Sequence, residues 1–224
     1  FSKHSLFYQN ILTRLYCILI DMLDILRKVF DTLLPPHPTV LNLRSETPQK
    51  FLRFYLPKTF LHYVVLSDYK EEVMETAIKA NKFHNDQHAS KLLSILIAKW
   101  LGEQPIKPTI LIPIPLSSTR EKDRGYNQVT RVLEKVVNGK NILLKNLLIR
   151  IKDTRPQTKM NRDERLGNMN DVFVFQGTDI NLQSYRLVLI DDVVTTGATM
   201  SSAYKVLKGN LPKDTEIVCL ALTH

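Results

Sequence analysis

Two adjacent carboxylates, Asp191 and Asp192, stand between an apolar run and a cluster of hydroxyls in the segment Leu187 to Thr199, LVLIDDVVTTGAT. Each part has a chemical use. Four apolar residues in a row read as a buried strand, and open α/β sheets bind ligands beyond the carboxyl ends of their strands, where the acid pair would lie. The run Thr195, Thr196, Gly197, Ala198 and Thr199 then leads into a helix. Backbone N–H groups at a helix N-terminus, with hydroxyls beside them, bind phosphate. Gly197 would let the backbone approach that anion with no side chain in the way. Two carboxylates beside an anion site repel the ligand unless they meet hydroxyls or a cation, and sugar hydroxyls and Mg2+ both meet that need. The plainer alternative is an ordinary strand, turn and helix with an incidental acid pair.

The net charge of +9 over 224 residues is uneven, with 13 Lys/Arg against 6 Asp/Glu in residues 120–165. A field concentrated in this way suits a phosphate ester, a pyrophosphate or a nucleic acid; a solvated basic surface is the other reading. There are 7 Gly, the first being Gly102, and 2 Cys, Cys17 and Cys219. Two distant cysteines make neither a four-cysteine zinc site nor a disulfide framework, which points to a reducing, cytoplasmic compartment. No membrane span is expected: Arg14, Asp21, Asp24, Arg27, Lys28 and Asp31 interrupt the apolar run 11–34, whose three- and four-residue spacing instead describes an amphipathic helix.

The elements that must position the acid pair follow from the apolar spacing. Pro35, Pro36 and Pro38 end the first helix, and the polar stretch to Gln49 reads as a linker. Strands are expected at 61–66, 110–114, 187–190 and 216–222, and helices at 69–83, 86–101, 127–137 and 199–208. Alternation of this kind predicts an α/β domain with a mainly parallel sheet flanked by helices. The division expected is 1–48 for the helical arm and linker, and 49–224 for the domain.

LVLIDDVVTTGAT closely resembles the phosphoribosyl pyrophosphate (PRPP) motif of the type I phosphoribosyltransferases, and that fold is therefore implied. By the resemblance Asp191 and Asp192 hold the ribose hydroxyls, and Thr195, Thr196, Gly197, Ala198 and Thr199 cradle the 5-phosphate. Members that salvage 6-oxopurines carry an Asp proposed as general base where Thr195 stands, so hypoxanthine–guanine salvage is disfavoured. A second stretch, Ile112 to Gln128, IPIPLSSTREKDRGYNQ, is similar to the PVPL, basic tract and RGFNQ of the ComF family. Lys79, Lys82 and Phe83, then Arg155 and Gln157, then Arg165, Asn168 and Phe173 continue that match in order. The resemblance implies that Ile114, Pro115, Leu116 and Ser117 contact pyrophosphate through the backbone. It further implies an extended basic loop in which Arg120, Lys122 and Arg124 stabilise the departing charge, with Gly125 as its hinge.

Several of these residues have a second reading. Arg124 is either the leading candidate for pyrophosphate or a surface arginine paired with Asp123 or Glu121. Asn127 and Gln128 are ligand contacts, or an N-cap and a helix-surface amide. Lys79 and Lys82 share a helix face and either reach ligand or not. Arg150, Arg155, Arg162 and Arg165 line the site, form a nucleic-acid surface or are solvated. His84 and His88 lack a third metal ligand. Many ComF proteins begin with a four-cysteine zinc module whose cysteines this chain lacks, so its N-terminal segment reads as a metal-free counterpart. The function expected is PRPP and Mg2+ binding with transfer of phosphoribose to an unidentified acceptor, linked to DNA uptake in natural transformation. The alternative is a non-catalytic sensing module that binds single-stranded DNA or a DNA-uptake helicase. Oligomeric state is left open.

Overall fold

In the computed structural model the described residues are 38–151 and 172–224, with Met22 alone before them. The helix expected over 11–34, Cys17, Arg155, Gln157, Arg162, Arg165 and Asn168 lie outside these residues. The chain divides into two compact units, Phe1–Leu41 and Asn42–His224, and the sheet and the acid pair belong to the second.

The polar stretch read as a linker is helical. Helices occupy Pro38–Ser45 (α1) and Pro48–Phe51 (α2). Pro38, expected to stop regular structure, starts a helix instead, because the first turn has no use for the missing N–H and favours the fixed φ of proline. Thr47 caps α2 by accepting from Lys50 N.

Six strands form the main sheet: β1 Lys58–Phe60, β2 Tyr63–Ser67, β3 Thr109–Pro113, β4 Asn141–Leu143, β7 Arg186–Val193 and β8 Ile217–Thr223. A separate antiparallel pair joins β5 Leu148–Arg150 to β6 Phe173–Phe175. The main sheet runs in the order β1-β2-β8-β7-β3-β4, and β1 alone is antiparallel to its neighbour. This is the mainly parallel, helix-flanked sheet expected from the sequence. The acid-bearing strand β7 lies between β3 and β8, so its end is walled on both sides.

Side-chain alternation along β7 divides the core. Val188 and Ile190 face one layer with Leu66, Leu111 and Leu220; Leu187 and Leu189 face the other with Val65, Ile110, Ile112 and Ala221. The first layer is completed by α3 (Glu72–His84), α4 (Gln87–Glu103) and α6 (Gln128–Leu133), through residues such as Met74, Leu93, Leu96 and Val132. The second is completed by α7 (Ala198–Asn210) through Met200, Ala203 and Leu207, and by Leu148 and Phe173 of the small pair. A parallel sheet covered on both faces requires this near-continuous apolar composition.

Two helices differ from expectation for local reasons. α3 begins three residues later than 69, because Tyr69 N bonds to His224 O and Lys70 N to Asp68 Oδ1, which makes a turn. α6 stops at Leu133, and the chain tightens into bonds such as Val136 N to Leu133 O.

Candidate functional site

The two carboxylates at the end of β7 interact with each other and with Lys82. Asp192 follows Val188 and Ile190 toward the α3, α4 and α6 side, and there it is anchored. Its Oδ1 accepts from Val193 N at 2.9 Å, and its Oδ2 accepts from Gln128 Nε2 at 3.0 Å. Lys82 Nζ on α3 stands 3.8 Å from the same Oδ2. Gln128, 3% exposed, in turn accepts at Oε1 from Arg124 Nη1 at 2.9 Å. Its carbonyl accepts from Asn81 Nδ2 at 3.1 Å, and Asn81 Oδ1 accepts from Ser90 Oγ at 2.7 Å. Tyr126 OH donates to Asn81 O at 2.9 Å. The sequence Arg124 to Gln128 is thus a linkage from α3 to the carboxylate at the end of β7.

Both readings of Asn127 meet in one side chain. Its Oδ1 accepts from Val129 N and Thr130 N, which caps α6, and its Nδ2 donates to Ile114 O at 2.9 Å. Asn127→Ala is expected to cost about 1–2 kcal/mol for the cap, with a further loss where Ile114 O gives up its donor. A urea unfolding midpoint measures the total.

Asp191 accepts at Oδ1 from Asp192 N at 2.9 Å. Burial, and then the neighbouring Asp192 charge, hold its carboxyl well above the usual carboxylate range, with Lys82 opposing weakly. A carboxyl raised in the folded state contributes most when protonated, and that contribution is lost as pH rises through its folded value. Asp191→Asn is therefore expected to raise the melting temperature at neutral pH. The gain should shrink as pH falls toward the ordinary carboxylate range; melting curves between pH 4 and 8 check this.

After β7 the chain turns through Thr195 and Thr196, both exposed, into α7. Gly197 is its N-cap, with no side-chain cap, and the first helical bond runs from Ser201 N to Gly197 O. The N–H groups of Ala198, Thr199 and Met200 precede that bond, as the orphan donors of a helix start do. Gly197 has φ +75°, and a Cβ on it would lie 2.6 Å from Tyr63 Cε2 and 3.2 Å from Leu61 Cδ1. This corrects one expectation: the bare Cα admits the Tyr63 ring, and the side a Cβ would occupy faces that ring. Tyr63 OH also donates to Gly197 O at 3.2 Å.

The basic tract also departs from expectation. Residues expected as an extended loop form a helix, α5, Ser118–Arg124. Ser117 Oγ caps it by accepting from Arg120 N, and Gly125 ends it at φ +72° with its N–H on Glu121 O. Gly125 is thus a left-handed helix terminus. Ile114, Pro115, Leu116 and Ser117 connect β3 to α5, held to the acid strand by Ile114 N donating to Ile190 O at 2.8 Å. Arg120 and Lys122 are exposed on α5, whereas Arg124 is half-buried and its guanidinium carbon lies 5.4 Å from the centre of the Phe83 ring.

Lys79 and Lys82 part company. Lys79 pairs with Glu75 on its own helix at 2.7 Å, and only Lys82 reaches the acid pair. Arg150 stacks by Phe173 at 5.6 Å. His88 Nε2 meets Leu43 O at 3.1 Å, and among the described residues no His, Cys, Asp and Glu cluster could hold a metal on its own. Burial pushes the Cys219 thiol up to about 12. Tyr63, Asn81 and Ser90 carry no signal in the sequence that marks them for the site. Tyr63 and Gly197 are 134 residues apart, and no local pattern announces such a contact.

A cavity of about 660 Å3 opens at the other end of the strands, lined among others by Lys107, Lys140, Tyr185 and Arg186. Lys107 and Arg186 are already paired there with Glu216, at 2.8 and 2.6 Å. The chemistry of the acid pair lies elsewhere.

Competence protein F of Haemophilus influenzae is 29% identical to this chain over 130 residues, 57% of either chain. Competence protein ComFC of Streptococcus pneumoniae is 34% identical over 131 residues, 58% of this chain and 56% of that one. The chain is similar to the ComF-type competence proteins. The matches span little more than half the length of these relatives. No family model matches this ComF-like chain. Among solved structures, a hypoxanthine phosphoribosyltransferase from Staphylococcus aureus aligns at 13% identity and a TM-score of 0.34, over 66% of the ComF-like chain and 62% of its own. No helix among the described residues is long and apolar enough to cross a membrane.

Proposed function

We propose that the chain binds PRPP with Mg2+ and transfers its phosphoribosyl group to an acceptor, in the service of DNA uptake. One juxtaposition carries the reading: at the end of β7 the acid pair and the uncapped start of α7 stand within one turn of chain. Carboxylates suit sugar hydroxyls and orphan N–H groups suit a phosphate, and PRPP offers both a few atoms apart. In the transfer the bond from C1 to the pyrophosphate oxygen breaks, C1 bonds to the acceptor nucleophile, and the acceptor gives up a proton. The chain's contribution is positioning and charge. Lys82 and Arg124 are the cations already held beside the site; Arg120 and Lys122 on exposed α5 would have to be brought to the pyrophosphate.

The donor chemistry fits Mg2+. Asp191 is a hard oxygen donor destabilised as an anion by burial and by its neighbour, which a nearby cation relieves. Held through the diphosphate and water, Mg2+ supplies neutralisation of the leaving group.

The test is pyrophosphate release. Purified protein with PRPP and Mg2+ should release pyrophosphate when the right base or amine is added, and not without it. A second reading is favoured by the relatives' names, which speak of competence: a PRPP-sensing module that engages single-stranded DNA or a helicase partner. It gains if PRPP binds without turnover across a broad acceptor panel. A DNA surface in the basic stretch would also show a steep loss of affinity with salt.

A further inference from the structure

The cavity of about 660 Å3 at the amino ends of the strands is lined by three cations, Lys107, Lys140 and Arg186, and by no Asp or Glu. Strand register brings the three together. Thr109, two residues after Lys107, pairs with Arg186 on one side and with Asn141, the residue after Lys140, on the other. The carboxylate that holds two of them is fully occupied: Glu216 Oε1 accepts from Arg186 Nε at 2.6 Å and Oε2 from Lys107 Nζ at 2.8 Å. Three cations against one carboxylate leave a surplus of two positive charges. Arg186 is 7% exposed and its Nη1 is tied to Pro105 O at 3.3 Å, which leaves Nη2 with no hydrogen bond among the described residues. Sealed orphan side-chain atoms among those residues are Ser67 Oγ and Thr215 Oγ1, so Nη2 faces open space in the cavity that Arg186 lines. Lys140 is exposed, and none of the described residues hydrogen-bonds or ion-pairs with its ammonium. Donors held in this way call for an acceptor.

We propose that this cavity binds a small phosphomonoester with an apolar or ring-bearing body, at a site separate from the acid pair. Charge selects the head group. A phosphomonoester carries about −1.5 to −2 at pH 7 and answers the surplus, whereas a carboxylate answers half of it. Geometry selects it too: a planar carboxylate is best met by a two-pronged guanidinium, and Arg186 has only Nη2 to offer. One N–H group and two ammonium groups from three segments suit the separate oxygens of a phosphate. The body follows from the walls. Leu101, Val136, Ile142 and Tyr185 line the cavity, and its volume lies within the range of about 300–1,000 Å3 typical of small-molecule pockets, far more than a lone phosphate fills. Arg186 and Asp191 are five residues apart on β7, roughly 16 Å along a strand, so a small ligand held by Arg186 does not reach the acid pair. The site stands independently of the PRPP reading.

Phenyl phosphate is the probe, titrated calorimetrically into the wild-type protein in the presence of saturating PRPP and Mg2+, which keeps it from the acid-pair end. Saturable binding is expected, tighter than that of inorganic phosphate, which lacks the body, and of benzoate, which lacks the second charge. Lys140→Glu, at an exposed position, should fold as the wild type does and weaken phenyl phosphate binding about 10-fold or more, with the thermal shift produced by PRPP and Mg2+ unchanged. Lys107→Gln, which keeps a donor for Glu216, should weaken it in the same direction. Equal binding by the wild type and both variants overturns the site, and so does a wild type that does not bind the probe. Inorganic phosphate or benzoate binding as tightly as phenyl phosphate overturns the class of ligand. Phenyl phosphate binding that depends on Lys140 in a protein with no PRPP shift removes the PRPP reading and upholds this site.

Discussion

Asp191→Asn combined with Asp192→Asn is expected to abolish the thermal stabilisation that PRPP and Mg2+ confer on the wild-type protein. A ligand at ~100 times its dissociation constant adds ~2.7 kcal/mol to a protein that binds it only when folded. In a domain of this size each kcal/mol moves the midpoint by about 2–4 °C, so the wild-type shift is several degrees and easily read. The double variant should still fold, because each replacement keeps the shape of the side chain, and the one amide oxygen left at position 192 still accepts from either Gln128 Nε2 or Val193 N. Without ligand its midpoint should equal or exceed that of the wild type at neutral pH, since two like charges are removed from beside one another. A wild-type protein that shows no shift would sink the PRPP reading.

Gly197→Ala should be the most damaging single substitution at the site. Two costs combine. An L residue held at the +75° φ of Gly197 pays backbone strain of about 1–3 kcal/mol, and a methyl group forced against a packed ring costs about 1–3 kcal/mol more. The ring is that of Tyr63, buried, hydrogen-bonded to Gly197 O and seated in the second layer of the core. Tyr63 cannot move without disturbing the strand that β8 pairs with. Chemical denaturation of Gly197→Ala against wild type gives the total, and a companion variant separates its parts. Gly197→Ala in a Tyr63→Leu background removes part of the clash and leaves the strain. If the glycine substitution costs the same in both backgrounds, the ring is not what Gly197 accommodates.

Much of the fold is legible in the sequence because its signals are local. The apolar runs at Ile110 and Leu187 are short and apolar throughout, as strands buried on both faces are. The acid pair and hydroxyl loop are legible for the same reason, being contiguous. The differences come from two sources. Pro38, Pro48 and the basic tract after Ser117 read as breaks or loops in the sequence, yet proline at a first turn and a capping hydroxyl one position upstream start helices there. Lys79 and Lys82, equal candidates in sequence, are separated by partners that spacing does not announce: Glu75 on the same helix for one, Asp192 on a strand 110 residues along the chain for the other. Tyr63 is invisible in the sequence because its role is a shape fitted to a glycine far along the chain.

Asp192 is held by Lys82 of α3 and Gln128 of α6, and Asp191 accepts in turn from the Asp192 N–H, so both acids take their geometry from the layer that those two helices complete. A chain in which that layer has come away loses the anchors of both acids at once. Under the proposed reading, recognition of a ligand that needs both acids therefore reports that this layer is assembled.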